Sequence, residues 1–206
     1  GIRAKATLLS LNYKGIKVLI VRRTYTELWN NHIEPLKASL KGIATYNKTD
    51  KGFTFLNGSM IVFGYCNNDG DLDQYQGAEY DVIFLDEATQ LDESWIKKIT
   101  ACCRGVNGFP KRIYYTCNPG GRSHGYIKRL FVDRKYEGNE KPEEYTFIQS
   151  LVTDNKALME ADPDYVATLE NLPPKLREAW LYGSWGIFEG ISLIIRNITM
   201  TEDGLM

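Results

Sequence analysis

The chain has 206 residues, 43% hydrophobic and 25% charged, with a formal net charge of −1. That is room for one α/β domain with a real core, in an ordinary globular composition without the basic excess of a general nucleic-acid binder. No apolar run approaches the roughly 20 residues that cross a bilayer, and Gly1 opens no signal-peptide pattern, which points to the cytoplasm.

Residues 2–13 read as a helix, with Ile2, Ala6, Leu9 and Tyr13 on one face and Gly15 as the stop. Lys17 to Val21 is a β-rich apolar run, followed by Arg22 and Arg23 at its carboxyl end. Two basic residues between a buried strand and a helix face phosphate, DNA, a neighbouring subunit or plain solvent; Arg23 is the stronger candidate for function. Thr24 to Glu27 has capping-box spacing, and Leu28, Trp29, Ile33, Leu36 and Leu40 form a helical stripe that Pro35 kinks or divides. Two β-rich runs, 52–56 and 59–63, flank Asn57-Gly58, the strongest short hairpin signal, in which both turn residues take positive φ. This hairpin is placed at the edge of the sheet, antiparallel to it. The acidic segment 67–73 lacks calcium-loop spacing and reads as an exposed loop.

The stretch Asp81-Val-Ile-Phe-Leu-Asp86-Glu87-Ala-Thr89 holds four consecutive apolar residues that run into two adjacent carboxylates. Such a run suits a strand covered on both faces, and its carboxyl end is where open α/β sheets bind ligands. Two carboxylates at a buried tip repel and are costly to desolvate; a cation or an activated water compensates. The alternative is a solvated strand end that opens a helix. Thr89 is expected to cap the next helix, whose apolar face is Leu91, Trp95, Ile96, Ile99 and Cys103. A second β-rich run, 112–116, breaks at Cys117-Asn118-Pro119-Gly120-Gly121, a rigid polar turn and the second site candidate. The four cysteines form no CxxC pair and read as reduced thiols.

Ser123 is expected to cap a short helix, and Tyr145 to Val152 to form a further strand. Asp162-Pro163 starts a helix, Pro173-Pro174 breaks it, and a last helix reaches Gly183 with Leu176, Trp180 and Leu181 inward. Trp180, Tyr182, Trp185 and Phe188 read as packing. Residues 191–206 show only a short apolar run. Strands alternating with helices argue for a mainly parallel sheet between helices.

In order along the chain, VLIVRRTYTEL (18–28), FTFLNGSMIVFG (53–64), YQGAEYDVIFLDEATQ (75–90), YYTCNPGG (114–121), Asp154-Asn155 and DPDYVATLENLPPKLREAWLYGSW (162–185) resemble the ATPase domain of the bacteriophage terminase large subunit. The resemblance implies an α/β, RecA-like (ASCE P-loop NTPase) fold over residues 1–190, with 191–206 as a tail. It implies ATP and Mg²⁺ as cofactors, Asp86 on the metal in a Walker B motif, and Glu87 as the catalytic carboxylate. Thr116, Cys117 and Asn118 match the coupling motif. It further implies double-stranded DNA, a portal protein and a small terminase subunit as partners, and self-association into a ring in the host cytoplasm. The chain departs from the family in three ways. No G-x-x-x-x-G-K-S/T phosphate loop occurs, so Gly1 is expected to fall just after it and the fold to be incomplete at the N-terminus, with little ATP bound. The following nuclease domain is not expected within these residues. Gln76 stands where some relatives place a trans-acting arginine, leaving Arg23 or Arg104 for that part. The alternatives are an inactive prophage remnant that keeps the fold, or another helicase-like motor.

Overall fold

The computed structural model describes residues 1–109 and 111–187. The apolar runs become β1 (Lys17–Arg22), β4 (Met60–Tyr65), β5 (Val82–Asp86) and β6 (Arg112–Thr116), which pair in parallel. Two shorter strands, β2 (Ala44–Asn47) and β3 (Gly52–Phe55), add on antiparallel, in the order β2-β3-β4-β1-β5-β6. The hairpin is therefore not an edge appendage: β4 is itself one of the parallel strands, interior to the six-stranded sheet, and the outer strand is β2, which the sequence reading missed. The turn also differs. Gly58 alone has positive φ; its N–H bonds the Phe55 carbonyl at 2.9 Å while the Phe55 N–H bonds Ser59. That is a three-residue loop closed by a left-handed glycine, so Asn57 is released to bond the Ser10 carbonyl of the first helix.

Along β1 and β5, alternation sends Val18, Ile20, Val82 and Phe84 to one face and Leu19, Val21, Ile83 and Leu85 to the other, and all eight are buried. On the first face they join Ala6 of α1 (Ile2–Asn12) and Leu28, Ile33, Leu36 and Leu40 of the segment 25–40 in one cluster. Each fully buried side chain of this kind contributes about 1.5–3 kcal/mol. The expected division near Pro35 takes a specific form: α2 (Tyr25–Leu28) runs through a π-helical turn, Trp29–Ile33, into α3 (Glu34–Ser39). Thr24 caps α2 as expected, accepting from the Glu27 N–H at 3.3 Å.

Segment 67–76 is not a bare loop. Asp69–Tyr75 coils as a 3₁₀ helix with Leu72 and Tyr75 buried, and Asp69 accepts from the Trp95 indole at 2.6 Å. Tyr75 lies against Gly64, where a β-carbon would strike its ring. The helix after the acidic tip, α4 (Glu93–Thr100), has Asp92 at its N-cap; Thr89 instead lies within a 3₁₀ turn, Ala88–Gln90. At the opposite end of β5, buried Asp81 accepts from the Lys17 amide, Asn107 and Lys111 at 2.9, 2.6 and 2.6 Å.

The described chain divides into two compact units, the first Gly1–Cys117 and the second beginning at Asn118. In the second, α5 (His124–Ile127) leads into a π turn, Lys128–Val132, where Arg129 grips Glu140 with two bonds of 2.8 and 2.9 Å. The strand expected over 145–152 does not form. Its rings pack sideways, Tyr145 on Phe131 and Phe147 on Trp185, and Ile148 is exposed, so no neighbouring strand completes a ladder. Helices α6 (Lys156–Ala161), α7 (Tyr165–Glu170) and α8 (Pro174–Trp180) follow. α7 starts after Pro163 rather than at it, with Asp164 as N-cap, and Trp180 is exposed rather than inward. Trp185 is buried, stacked on His124. Phe188 and residues 191–206 lie outside the described residues.

Candidate active site

The pairing of β5 with β6 sets Asp86 directly beside Thr116 at the carboxyl ends of neighbouring strands. Thr116 Oγ1 donates to Asp86 Oδ1 at 2.6 Å. The other oxygen, Oδ2, meets His32 Nε2 at 2.8 Å and the Arg22 Nε at 3.2 Å. Burial alone pushes the Asp86 pKa up, but the hydrogen bonds from His32 and Thr116 and the Arg22 charge bring it below the ordinary 3.8. The carboxylate is therefore ionised at neutral pH.

Glu87 behaves in the opposite way. Burial first, and the neighbouring Asp86 charge second, raise its pKa above the ordinary 4.5. Its backbone is left-handed, at φ 54° and ψ 47°, which is costly for a residue with a β-carbon. Strain of this kind persists only where the surroundings enforce it, and it ends the extended backbone at Asp86. Two adjacent carboxylates with pKa values driven apart are the arrangement that divides an ion-binding role from a proton-handling one.

Cys117 follows β6 half-buried. Burial, then the Glu87 charge, push its thiol up to about 12, so it is no nucleophile at neutral pH. Asn118 opens the second unit and is exposed. Of the two arginines after β1, Arg22 reaches the acidic tip, whereas Arg23 bonds Asn67 Oδ1 at 3.2 Å. Arg104 is exposed beside Glu79, and Gln76 bonds Asp73. His32 was not singled out from the sequence, although a signal existed: it stands four residues from both Leu28 and Leu36, on the buried row of its helix.

A cavity of about 960 Å³ opens beside this tip, its lining including Gly1, Ile2 and Arg3 of the start of α1, His32, Asp86 and Thr116. An ionised carboxylate in its wall suits a divalent cation, and backbone amides at the start of a helix suit phosphate. The described residues contain no cluster of three or more acidic, histidine or cysteine ligands, so an ion here would take few ligands from the protein and fill the rest of its shell with water, or with phosphate oxygens where a nucleotide is bound.

Solved structures share this fold. The large terminase of a thermophilic bacteriophage superposes with a TM-score of 0.69 at 20% identity, covering 88% of this chain and 44% of that one. Its complex with ATP-γ-S gives 0.66 at 20% identity, covering 88% and 43%. The large terminase ATPase domain of Thermus phage P74-26 gives 0.56 at 12% identity, covering 88% and 80%. The chain thus spans less than half the length of the first of these proteins, and the shared architecture is the RecA-like fold. No curated protein sequence matches the chain. The family model described as terminase large subunit, T4likevirus-type, N-terminal, matches residues 12–199, and the chain belongs to that family.

Proposed function

We propose that the chain is the ATPase region of a phage DNA-packaging motor, which couples ATP hydrolysis to the movement of double-stranded DNA into a capsid. The observation that carries this reading is the side-by-side placement of Asp86 and Thr116, with Glu87 twisted out of the strand immediately after Asp86. Asp86 would hold Mg²⁺, whose charge would neutralise the nucleotide's phosphates. Glu87, with its raised pKa, is suited to orient water and accept its proton. Thr116, Cys117 and Asn118 form the link by which a change at the phosphates moves the β6 tip and the turn after it. Arg23 is the candidate for reaching a neighbouring subunit. Portal protein, a small terminase subunit and a ring of copies in the host cytoplasm are the proposed setting; no helix among the described residues is long and apolar enough to cross a membrane.

The absence of a G-x-x-x-x-G-K-S/T sequence favours a second reading, in which these 206 residues keep the fold but turn over no ATP. Among the described residues β6 is paired on one side only, and the cavity joins Gly1 to Asp86 and Thr116. A strand laid on the open side of β6 would deliver a phosphate loop into that cavity. Fusing a strand and phosphate loop from a relative ahead of Gly1 should recover nucleotide binding, with hydrolysis abolished by Glu87→Gln. A folded fusion that binds no nucleotide refutes the assignment of the acidic tip.

A further inference from the structure

His32 has no part in the chemistry proposed above, yet it is among the most enclosed polar groups of the first unit. Its side chain is 6% exposed, its Nε2 lies 2.8 Å from Asp86 Oδ2, and its Nδ1 is buried without a hydrogen-bond partner. An ionised carboxylate can only accept, so the His32 Nε2 is the donor in this contact. The backbone is arranged to hold it there. His32 lies in the π turn, and the following Pro35 has no N–H to offer the Asn31 carbonyl, which instead accepts from Arg3 Nη1 at 3.1 Å. The turn is thereby tied to the first turn of α1, on the same cavity wall.

A carboxylate offers about four acceptor sites. On Asp86, Thr116 uses one at Oδ1, while His32 and Arg22 both approach Oδ2. We infer that His32 is a positioning residue: by its hydrogen bond to Oδ2, beside the Arg22 charge, it fixes the carboxylate plane and leaves Oδ1 as the oxygen open to a divalent cation. The inference rests on the reading of Asp86 as a cation ligand. A hydrogen-bond partner of this kind typically changes metal affinity by about 10–100-fold when lost.

The test uses the whole chain with Mn²⁺ alone, followed by electron paramagnetic resonance, in the parent and in Asp86→Asn, His32→Leu and His32→Gln. Asp86→Asn should abolish the site. His32→Leu should weaken Mn²⁺ by about tenfold or more, while His32→Gln, which keeps an N–H donor, should stay within about threefold of the parent. A purely packing role for His32 would not distinguish donor from non-donor in this way. Because the chain has two histidines, a Mg²⁺ titration of the parent, read on the imidazole resonances, needs no folded variant. His32 should shift and His124 should not. If Asp86→Asn abolishes binding but His32→Leu binds as the parent does, or the His32 resonances stand still, the positioning role is wrong and the cation site survives. If the parent binds no Mn²⁺ at millimolar concentration, or Asp86→Asn leaves binding unchanged, the cation reading fails and takes this inference with it.

Discussion

The left-handed backbone at Glu87 gives a test in which stability and chemistry separate. Replacing Glu87 by alanine or by glycine removes the same carboxylate, so the difference between the two variants reports the backbone alone. At φ 54° and ψ 47° a β-carbon costs about 1–2 kcal/mol, and glycine gives back about 0.4–1 kcal/mol through its freer unfolded chain. Glu87→Gly should therefore be about 0.5–1 kcal/mol more stable than Glu87→Ala, the reverse of their order in a helix. For a domain of this size that is about 2–4 °C in Tm per kcal/mol, measurable by urea titration and calorimetry. Glu87→Gln isolates the charge. The raised pKa of Glu87 means its ionised form opposes folding at neutral pH, and that opposition is relieved as pH falls through its folded value toward 4.5. The parent should thus gain stability on mild acidification, and Glu87→Gln should lose that gain while being more stable at pH 7. Asp86 and Asp81, both held below 3.8, give the opposite trend at lower pH, and the difference between parent and Glu87→Gln removes their contribution. If Glu87→Ala equals or exceeds Glu87→Gly in stability, the left-handed backbone does not carry the cost assigned to it.

Thr116→Val should cost about 1 kcal/mol in urea unfolding, and Thr116→Ser should restore most of it, because the hydroxyl alone donates to Asp86. Lys111→Met should cost about 2 kcal/mol, since it leaves the 1%-exposed Asp81 with its charge uncompensated; Lys111→Met combined with Asp81→Asn should recover part of the loss. Gly64→Ala should cost about 1–3 kcal/mol by driving a methyl into the Tyr75 ring, and Gly64→Ala with Tyr75→Leu should be milder, as a thermal melt can show.

The parallel sheet was readable because β1 and β5 are continuous apolar runs, and a run ending in Asp-Glu marks that end as the candidate site. The hand of Arg22 and Arg23 was not readable. Alternation assigns a face only when one face is wet, and both faces of β1 are buried, so nothing in the run says which arginine turns toward Asp86. Strand β2 is four residues of middling propensity, exposed at every second position, and it exists because β3 offers it a ladder. The opposite error over 145–152 has the same origin: Tyr145 and Phe147 have strand character, but their partners are rings rather than a backbone edge. His32 escaped notice because helical stripes are counted in apolar residues, and a histidine completing one leaves no mark on hydrophobicity.

Asp86 is gripped from three separate stretches of chain, the end of β1, the π turn and the end of β6. A side chain that knots three loops together would be kept by selection for architecture even in a copy that had ceased to turn over nucleotide. Glu87 has no such set of partners, and its buried charge is expected to oppose folding. If the proposed ATPase reading holds, drift at the second acidic position, with the first unchanged, should therefore be the early sign of retirement.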